Sequence, residues 1–218
     1  MLRNYVKVMV RILMKAKVFT LINLLGLATG MACSLLIFLF IRDELSYDRF
    51  HKDSDNIYRL VQNHVNEDGT QIPDARTPRA LATAIQREIP EVSGITRAFA
   101  NPDWGADFLI KYRDKKFNEV KIFWVDSTFF DVFTFPFIKG NAKSALNEIN
   151  SIVITESIAK KYFGNENPMG KTLQVDQDLG ALIVTGVLKD LPSNSHFHFD
   201  FAVSIKKLGG DDPNNDWG

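Results

Sequence analysis

Between Val18 and Ile41 the chain runs for twenty-four residues, VFTLINLLGLATGMACSLLIFLFI, without a charged side chain. About 20 apolar residues suffice to cross the hydrocarbon core of a bilayer as a helix. Fourteen of the twenty-four are Leu, Ile, Phe or Val. At roughly −0.3 to −0.6 kcal/mol each they sum to about −4 to −8 kcal/mol of insertion tendency, from which Asn23 and the two glycines subtract without reversing the sign. A buried helix of a soluble domain rarely runs this long without one charge. A cleaved signal peptide has an apolar region of about 7–15 residues before a small-x-small site, whereas here the small residues Ala28 to Ala32 are followed by SLLIFLFI. A lipoprotein site at Cys33 lacks the large aliphatic residue three positions earlier, where Gly30 stands. Residues 18–41 therefore read as an uncut transmembrane helix.

The flanks set the expected orientation, because Lys and Arg are retained on the cytoplasmic side while acids count for little. Arg3, Lys7, Arg11, Lys15 and Lys17 precede the span without an acid, and Arg42, Asp43 and Glu44 follow it. The N-terminus is expected in the cytoplasm and everything from Arg42 outside it. The formal charge of zero, 26 basic against 26 acidic side chains, hides this asymmetry: beyond residue 17 the chain holds 21 basic against 26 acidic groups, a net of −5. An acidic bulk gives nucleic acid no basic surface to bind. With Cys33 as the single cysteine, an internal disulfide and a thiolate zinc cluster are both ruled out.

Two faces stand out in this N-terminal region. Arg3, Lys7, Arg11 and Lys15 recur every four residues as one charged stripe, with Leu2, Val6, Met9, Val10, Leu13 and Met14 largely on the other side. Residues 1–17 fit an interfacial amphipathic helix lying among anionic headgroups and touching a cytoplasmic partner; a short topogenic leader is the plainer alternative. Within the span, Asn23, Gly26, Gly30 and Ser34 fall three and four apart. That spacing gives a small-residue face with a GxxxG pair and an amide, suited to close helix packing; a lipid-facing patch of small residues is the plainer alternative there.

Residues 42–205 are long enough for a core and mix short alternating runs with two marked helices, so the fold class reads as α+β. One helix is expected from a Thr77 cap with Pro78 at the first helical position, through Leu81, Ala82, Ile85 and Ile89, to Pro90. A second is expected from a Thr155 cap through Ile158, Ala159, Tyr162 and Phe163 to Gly164. Strands are expected at Ser151–Ile154, Tyr58–Val65, Ile95–Ala100, Phe108–Tyr112, Val120–Val125, Thr172–Val175, Leu182–Leu188 and His196–Val203. Asp126 is expected to cap a single turn presenting Phe129, Phe130 and Phe133. Residues 206–218 read as a turn-rich tail.

Candidate chemistry is sparse. Gly164 to Thr172 imitates a phosphate loop but has five residues between its glycines where the Walker loop has four, and sits between a helix and a strand instead of a strand and a helix. His196, His198 and Asp200 alternate with Phe197, Phe199 and Phe201, so a strand there puts the three polar groups on one face, where two histidines and a carboxylate could hold a metal; a half-buried strand with a wet face explains the alternation equally. Asp212, Asn214 and Asp216 resemble the start of a calcium loop, but Trp217 stands where glycine is required. No serine sits in a nucleophile elbow. The expectation is no enzyme, no metal and no cofactor.

The residues also carry a resemblance. Asp43-Glu-Leu-Ser-Tyr-Asp-Arg-Phe-His51, Asn56-Ile-Tyr-Arg59, Pro90-Glu-Val92, Phe129-Phe-Asp-Val-Phe-Thr-Phe135, the run from Val153 to Gly164, Asn167-Pro-Met-Gly-Lys171, Thr185-Gly-Val-Leu-Lys-Asp190 and Pro192-Ser-Asn-Ser-His196 together resemble MacB-like/FtsX-like ABC transporter permeases, over nearly the whole chain to about Ile205. The resemblance implies an inner-membrane permease subunit with a periplasmic domain of porter-like and sabre-like parts. It implies a separate cytoplasmic ABC ATPase that drives export or mechanotransmission, and a periplasmic adaptor as a further partner. It also implies that residues 2–17 lie near the ATPase while Asn23, Gly26 and Gly30 pack on later transmembrane helices or a second permease copy. Members of that family continue into further crossings, so the chain is expected to be the N-terminal part of a longer permease. The competing expectation is a single-pass anchored module that binds a periplasmic partner without transport.

Overall fold

The computed structural model of the chain describes residues 2–66, 68–100, 107–176 and 179–208, which form two compact units, Met1–Tyr47 and Asp48–Gly218. In the first unit, α1 (Leu2–Lys15) and α2 (Lys17–Glu44) are separated by Ala16, whose φ of −105° and ψ of 56° break the helix. The Thr20 hydroxyl donates to the Leu13 carbonyl across that break, 3.0 Å. No residue of α2 is buried. The helix outruns the apolar stretch by three residues, and its end is tightened by Leu45 N–H on the Ile41 carbonyl and the Ser46 hydroxyl on the Asp43 carbonyl. Backbone hydrogen bonding is indifferent to side-chain charge, so the expected divisions at 17/18 and 41/42 both fall inside one helix.

The second unit is built on a mixed nine-stranded sheet. Its strands are β3 (Ala98–Ala100), β4 (Phe108–Tyr112), β5 (Lys115–Glu119), β6 (Ile122–Val125), β7 (Phe137–Lys139), β8 (Ser151–Thr155), β9 (Thr172–Val175), β10 (Gly180–Leu188) and β11 (Phe201–Ser204), in the order β3-β6-β11-β8-β10-β9-β4-β5 with β7 also on β10. The pairs β8/β10 and β6/β11 are parallel and the rest antiparallel. β9 takes the first half of one edge of β10 and β7 the second half. A separate hairpin pairs β1 (Gln62–Val65) with β2 (Gln71–Asp74).

Alternation through the central strands fills two cores. Ile152 and Ile154 of β8, Phe201 and Val203 of β11, and Ile122 and Trp124 of β6 pack on one face under α5 (Glu156–Phe163), which adds Ile158, Tyr162 and Phe163. Val153, Ala202 and Val125, from the same strands, pack on the other face with Phe129, Phe130 and Phe135 beside the short α4 (Phe129–Val132). Burial on both faces explains why β8 reads SIVIT with no polar-out position and is buried throughout.

Several local expectations are corrected. The helix α3 (Arg79–Glu88) has Pro78 itself at its cap, φ −55° and ψ 142°; the extended ψ takes Pro78 out of the first helical position and moves the start of the helix one residue on from the expected Thr77 cap. Thr155 caps α5 by position but not by bond; its hydroxyl is buried without a partner, and Asp190 instead accepts from the Ser157 amide (2.9 Å) and hydroxyl (2.6 Å). Asp126 contributes only its backbone carbonyl to the α4 turn; its carboxylate is held by the Arg97 guanidinium, 2.7 Å from Nη2 and 2.9 Å from Nε. The expected strand at His196–Val203 starts at Phe201, so Phe197 and Phe199 join one core and Phe201 the other.

Candidate coupling site

Arg3, Lys7, Arg11 and Lys15 all lie on α1 and are exposed. At 100° per residue they span an arc of about 120°, with Tyr5, Val6, Met9, Ile12 and Leu13 across from it. Met14 falls inside the charged arc, not across from it. On α2, Asn23, Gly26, Gly30 and Ser34 are exposed, and a Cβ added at Gly26 or Gly30 meets nothing within 4 Å. The Ser34 hydroxyl donates to the Gly30 carbonyl, 2.8 Å, so it is satisfied within its own helix and leaves the small-residue face smooth. Gly26, Gly30 and Ser34 leave a shallow, open depression beside Leu27, Met31 and Leu35.

Where the second unit begins, two sequence motifs 148 residues apart are tied together. Asp48 sits at φ 55°, a left-handed conformation that Asp tolerates better than most residues. From there its amide donates to the Asn194 carbonyl, 3.0 Å. Its carboxylate accepts from the His196 amide (3.0 Å) and from His196 Nδ1 (2.6 Å). Its carbonyl accepts from the His51 amide, 3.1 Å. An ionised carboxylate only accepts, so the short contact assigns the proton to Nδ1 of His196.

His51 carries the tie inward. Its side chain is 2% exposed and lies among Phe50, Phe133 and Phe135, ring centroids 4.1, 5.2 and 5.3 Å away. The Thr134 amide donates to His51 Nδ1 (3.1 Å) and the Lys52 amide donates to the Thr134 hydroxyl (3.1 Å). Accepting at Nδ1 leaves the proton of the neutral ring on Nε2, which is 3.9 Å from Asp48 Oδ1 and without a hydrogen-bond partner. Burial holds the ring's pKa below 6.5, against the opposing pull of the Asp48 charge. This clasp joins the first residues after the helical unit to the aromatic corner of the sheet domain with five backbone amides and two histidine rings.

The other singled-out residues go elsewhere. Gly164 to Lys171 runs from helix to strand, and Lys171 is engaged with Glu166, which also holds Arg113. His196 joins Asp48, Asp200 is half-buried with its pKa raised by burial, and His198 is exposed; no group of three or more metal-type ligands occurs among the described residues. Asp212, Asn214 and Asp216 lie outside the described residues. Glu119, which no motif marked, is a buried carboxylate bonded by the Tyr162 hydroxyl and Lys161 Nζ, each 2.7 Å; burial, then the hydrogen bond to Glu119 and its charge, raise the Tyr162 pKa. Asp48, Asn194 and Thr134 were legible only as parts of motifs, with no spacing to pair them.

The fold has relatives among solved structures. A domain assigned to a permease protein from Porphyromonas gingivalis is 27% identical, with a TM-score of 0.59 over 72% of this chain and 65% of that one, so this chain spans a little under two thirds of its length. The periplasmic region of MacB from Actinobacillus actinomycetemcomitans is 19% identical (TM-score 0.45, 61% of this chain and 57% of that one). The extracellular domain of the ABC-type transporter YknZ from Gram-positive bacteria is 18% identical (TM-score 0.46, 65% and 69%). No curated protein matches the chain. The MacB-like periplasmic core domain family matches residues 20–212, a span that starts inside a helix long and apolar enough to cross a membrane; the chain belongs to this family of ABC-type permease domains, on a membrane anchor.

Proposed function

We propose that the chain is the N-terminal part of an ABC-type permease subunit whose second unit receives motion generated by a separate cytoplasmic ATPase. The observation that carries the reading is the family match beginning at residue 20, inside α2, so that the anchor and the outer domain form one matched unit. In this reading the N-terminus is cytoplasmic, which the basic flank supports, and the membrane is the inner one. The Arg3, Lys7, Arg11 and Lys15 stripe lies on the cytoplasmic leaflet near the ATPase, and Asn23, Gly26, Gly30 and Ser34 receive other transmembrane helices or a second permease copy. Displacement of α2 reaches the sheet through residues 45–47 and the Asp48 clasp. The polypeptide transmits force and catalyses nothing itself; efflux is the output and a periplasmic adaptor the outer partner.

Orientation is tested with a membrane-impermeant maleimide in intact spheroplasts, in a Cys33→Ser background carrying one new cysteine. Labelling of Asn118→Cys but not of Asn4→Cys is expected, and the reverse pattern overturns the topology. Coupling is tested by co-reconstituting the full-length subunit with its ATPase: Asp48→Ala is expected to leave ATP hydrolysis intact and uncouple it from transport. Transport undiminished in that variant overturns the role of the clasp, and carbonate-extractable protein overturns the anchor.

A further inference from the structure

The clasp contains a titratable ring in a place where protonation removes a bond. We propose that His51 makes the attachment of the Asp48 segment to the aromatic corner sensitive to proton concentration, the inner half of the clasp opening on acidification while the outer half holds. The inner half depends on an unprotonated Nδ1: the Thr134 amide donates into it at 3.1 Å. A second proton on the ring turns that acceptor into a donor facing another donor, and places a cation among Phe50, Phe133 and Phe135. The outer half does not depend on that nitrogen: the His196 amide and His196 Nδ1 both meet the Asp48 carboxylate, at 3.0 and 2.6 Å.

The groups facing the His51 ring come from three segments. From its own segment they are Asp48, with Oδ1 3.9 Å from Nε2, and the Phe50 ring; from residues 133–135 they are the Thr134 amide, Phe133 and Phe135; from residues 194–196 it is His196, acting through Asp48. Asp48 is the charged group that acts on the ring. The ring is held below 6.5 by burial, so the unfolded chain takes up its proton first. The stability His51 contributes is complete above about pH 6.5 and is lost as pH falls from there towards the folded-state pKa. The segment from Asp48 to Asp53 thereby loosens from Thr134 while remaining tied to His196. The use of such a device in transport rests on the reading above; the device itself does not.

The test is hydrogen–deuterium exchange on the full chain in detergent between pH 5 and 8, corrected for intrinsic rates, read at the peptides containing Lys52 and Thr134. Protection of both is expected to fall by up to tenfold per pH unit as pH drops from about 6.5 towards the folded-state pKa of His51, with peptides of β8 and β11 unchanged. His51→Asn, which offers an acceptor near the Nδ1 position and does not titrate, is expected to abolish the pH dependence. His196→Gln is expected to preserve it. Protection constant from pH 8 to 5, or a dependence lost in His196→Gln, overturns the proposal, and these two results decide it even where His51→Asn does not fold. Since no ATPase is present, failure of the coupling experiment leaves this result standing, and failure here leaves the permease reading standing.

Discussion

The two units use the same side chains in opposite ways. In α2, Leu36, Phe38 and Phe40 are 66%, 61% and 68% exposed, while in the sheet unit Trp124, Phe201 and Leu188 are at most 2% exposed. The sheet unit makes its own apolar environment from two cores on one sheet. The helical unit makes none, so the solvent for its apolar surface has to be supplied from outside, by lipid or by other helices. Stability in the first case is written into the contacts of the sheet, and in the second into an environment.

Substitutions that probe this contrast fall in a clear order. Phe201→Ala, emptying the centre of one core, is expected to cost the sheet unit about 3–5 kcal/mol, read as a shift in the denaturant midpoint of the full chain in detergent; a loss below 1 kcal/mol breaks the picture of a self-sufficient core. Asp48→Ala removes two acceptors and puts alanine at φ 55°, for an expected loss of about 2–3 kcal/mol. Asp48→Gly keeps the backbone unstrained and is expected to recover about 1 kcal/mol of it. Gly186→Ala brings a Cβ to 2.7 Å from Phe137 Cε1 and 3.3 Å from Val153 Cγ2, an overpacking expected to cost about 1–3 kcal/mol. Gly30→Leu is the smallest for folding, within about 0.5 kcal/mol on the same transition, because nothing lies near an added side chain. Its expected effect is on association of the full chain in bilayers by energy transfer, and an unchanged association constant removes the packing face.

What the sequence disclosed follows from which forces act locally. β8 was legible because a strand buried on both faces is an apolar run, β10 because Leu182 to Leu188 is largely apolar although Ile183 is exposed, and α5 because its apolar period ends in Gly164, at φ 62°. β5, with the sequence KKFNE, was not. As an edge strand it shows lysines that protect it from further pairing, and its only local sign is the two-residue turn at Arg113 and Asp114, where Arg113 sits at φ 51°. The tail of the His196 to Asp200 alternation misled for a related reason: Asp48 draws His196 out of the strand direction, and no periodicity records a partner 148 residues away. Of the site, the charged stripe and the small-residue face could be read from spacing within a helix. The clasp needed the fold to bring its halves together.

The boundary between Tyr47 and Asp48 has a practical corollary for anyone wishing to exchange the anchor of this domain. A graft that replaces residues up to Tyr47 retains the Asp48, His51 and Lys52 groups that bond Asn194, His196 and Thr134. One spliced a single turn later, at Lys52, discards Asp48 and His51 together and leaves the Phe133 and Phe135 rings with an unfilled seat.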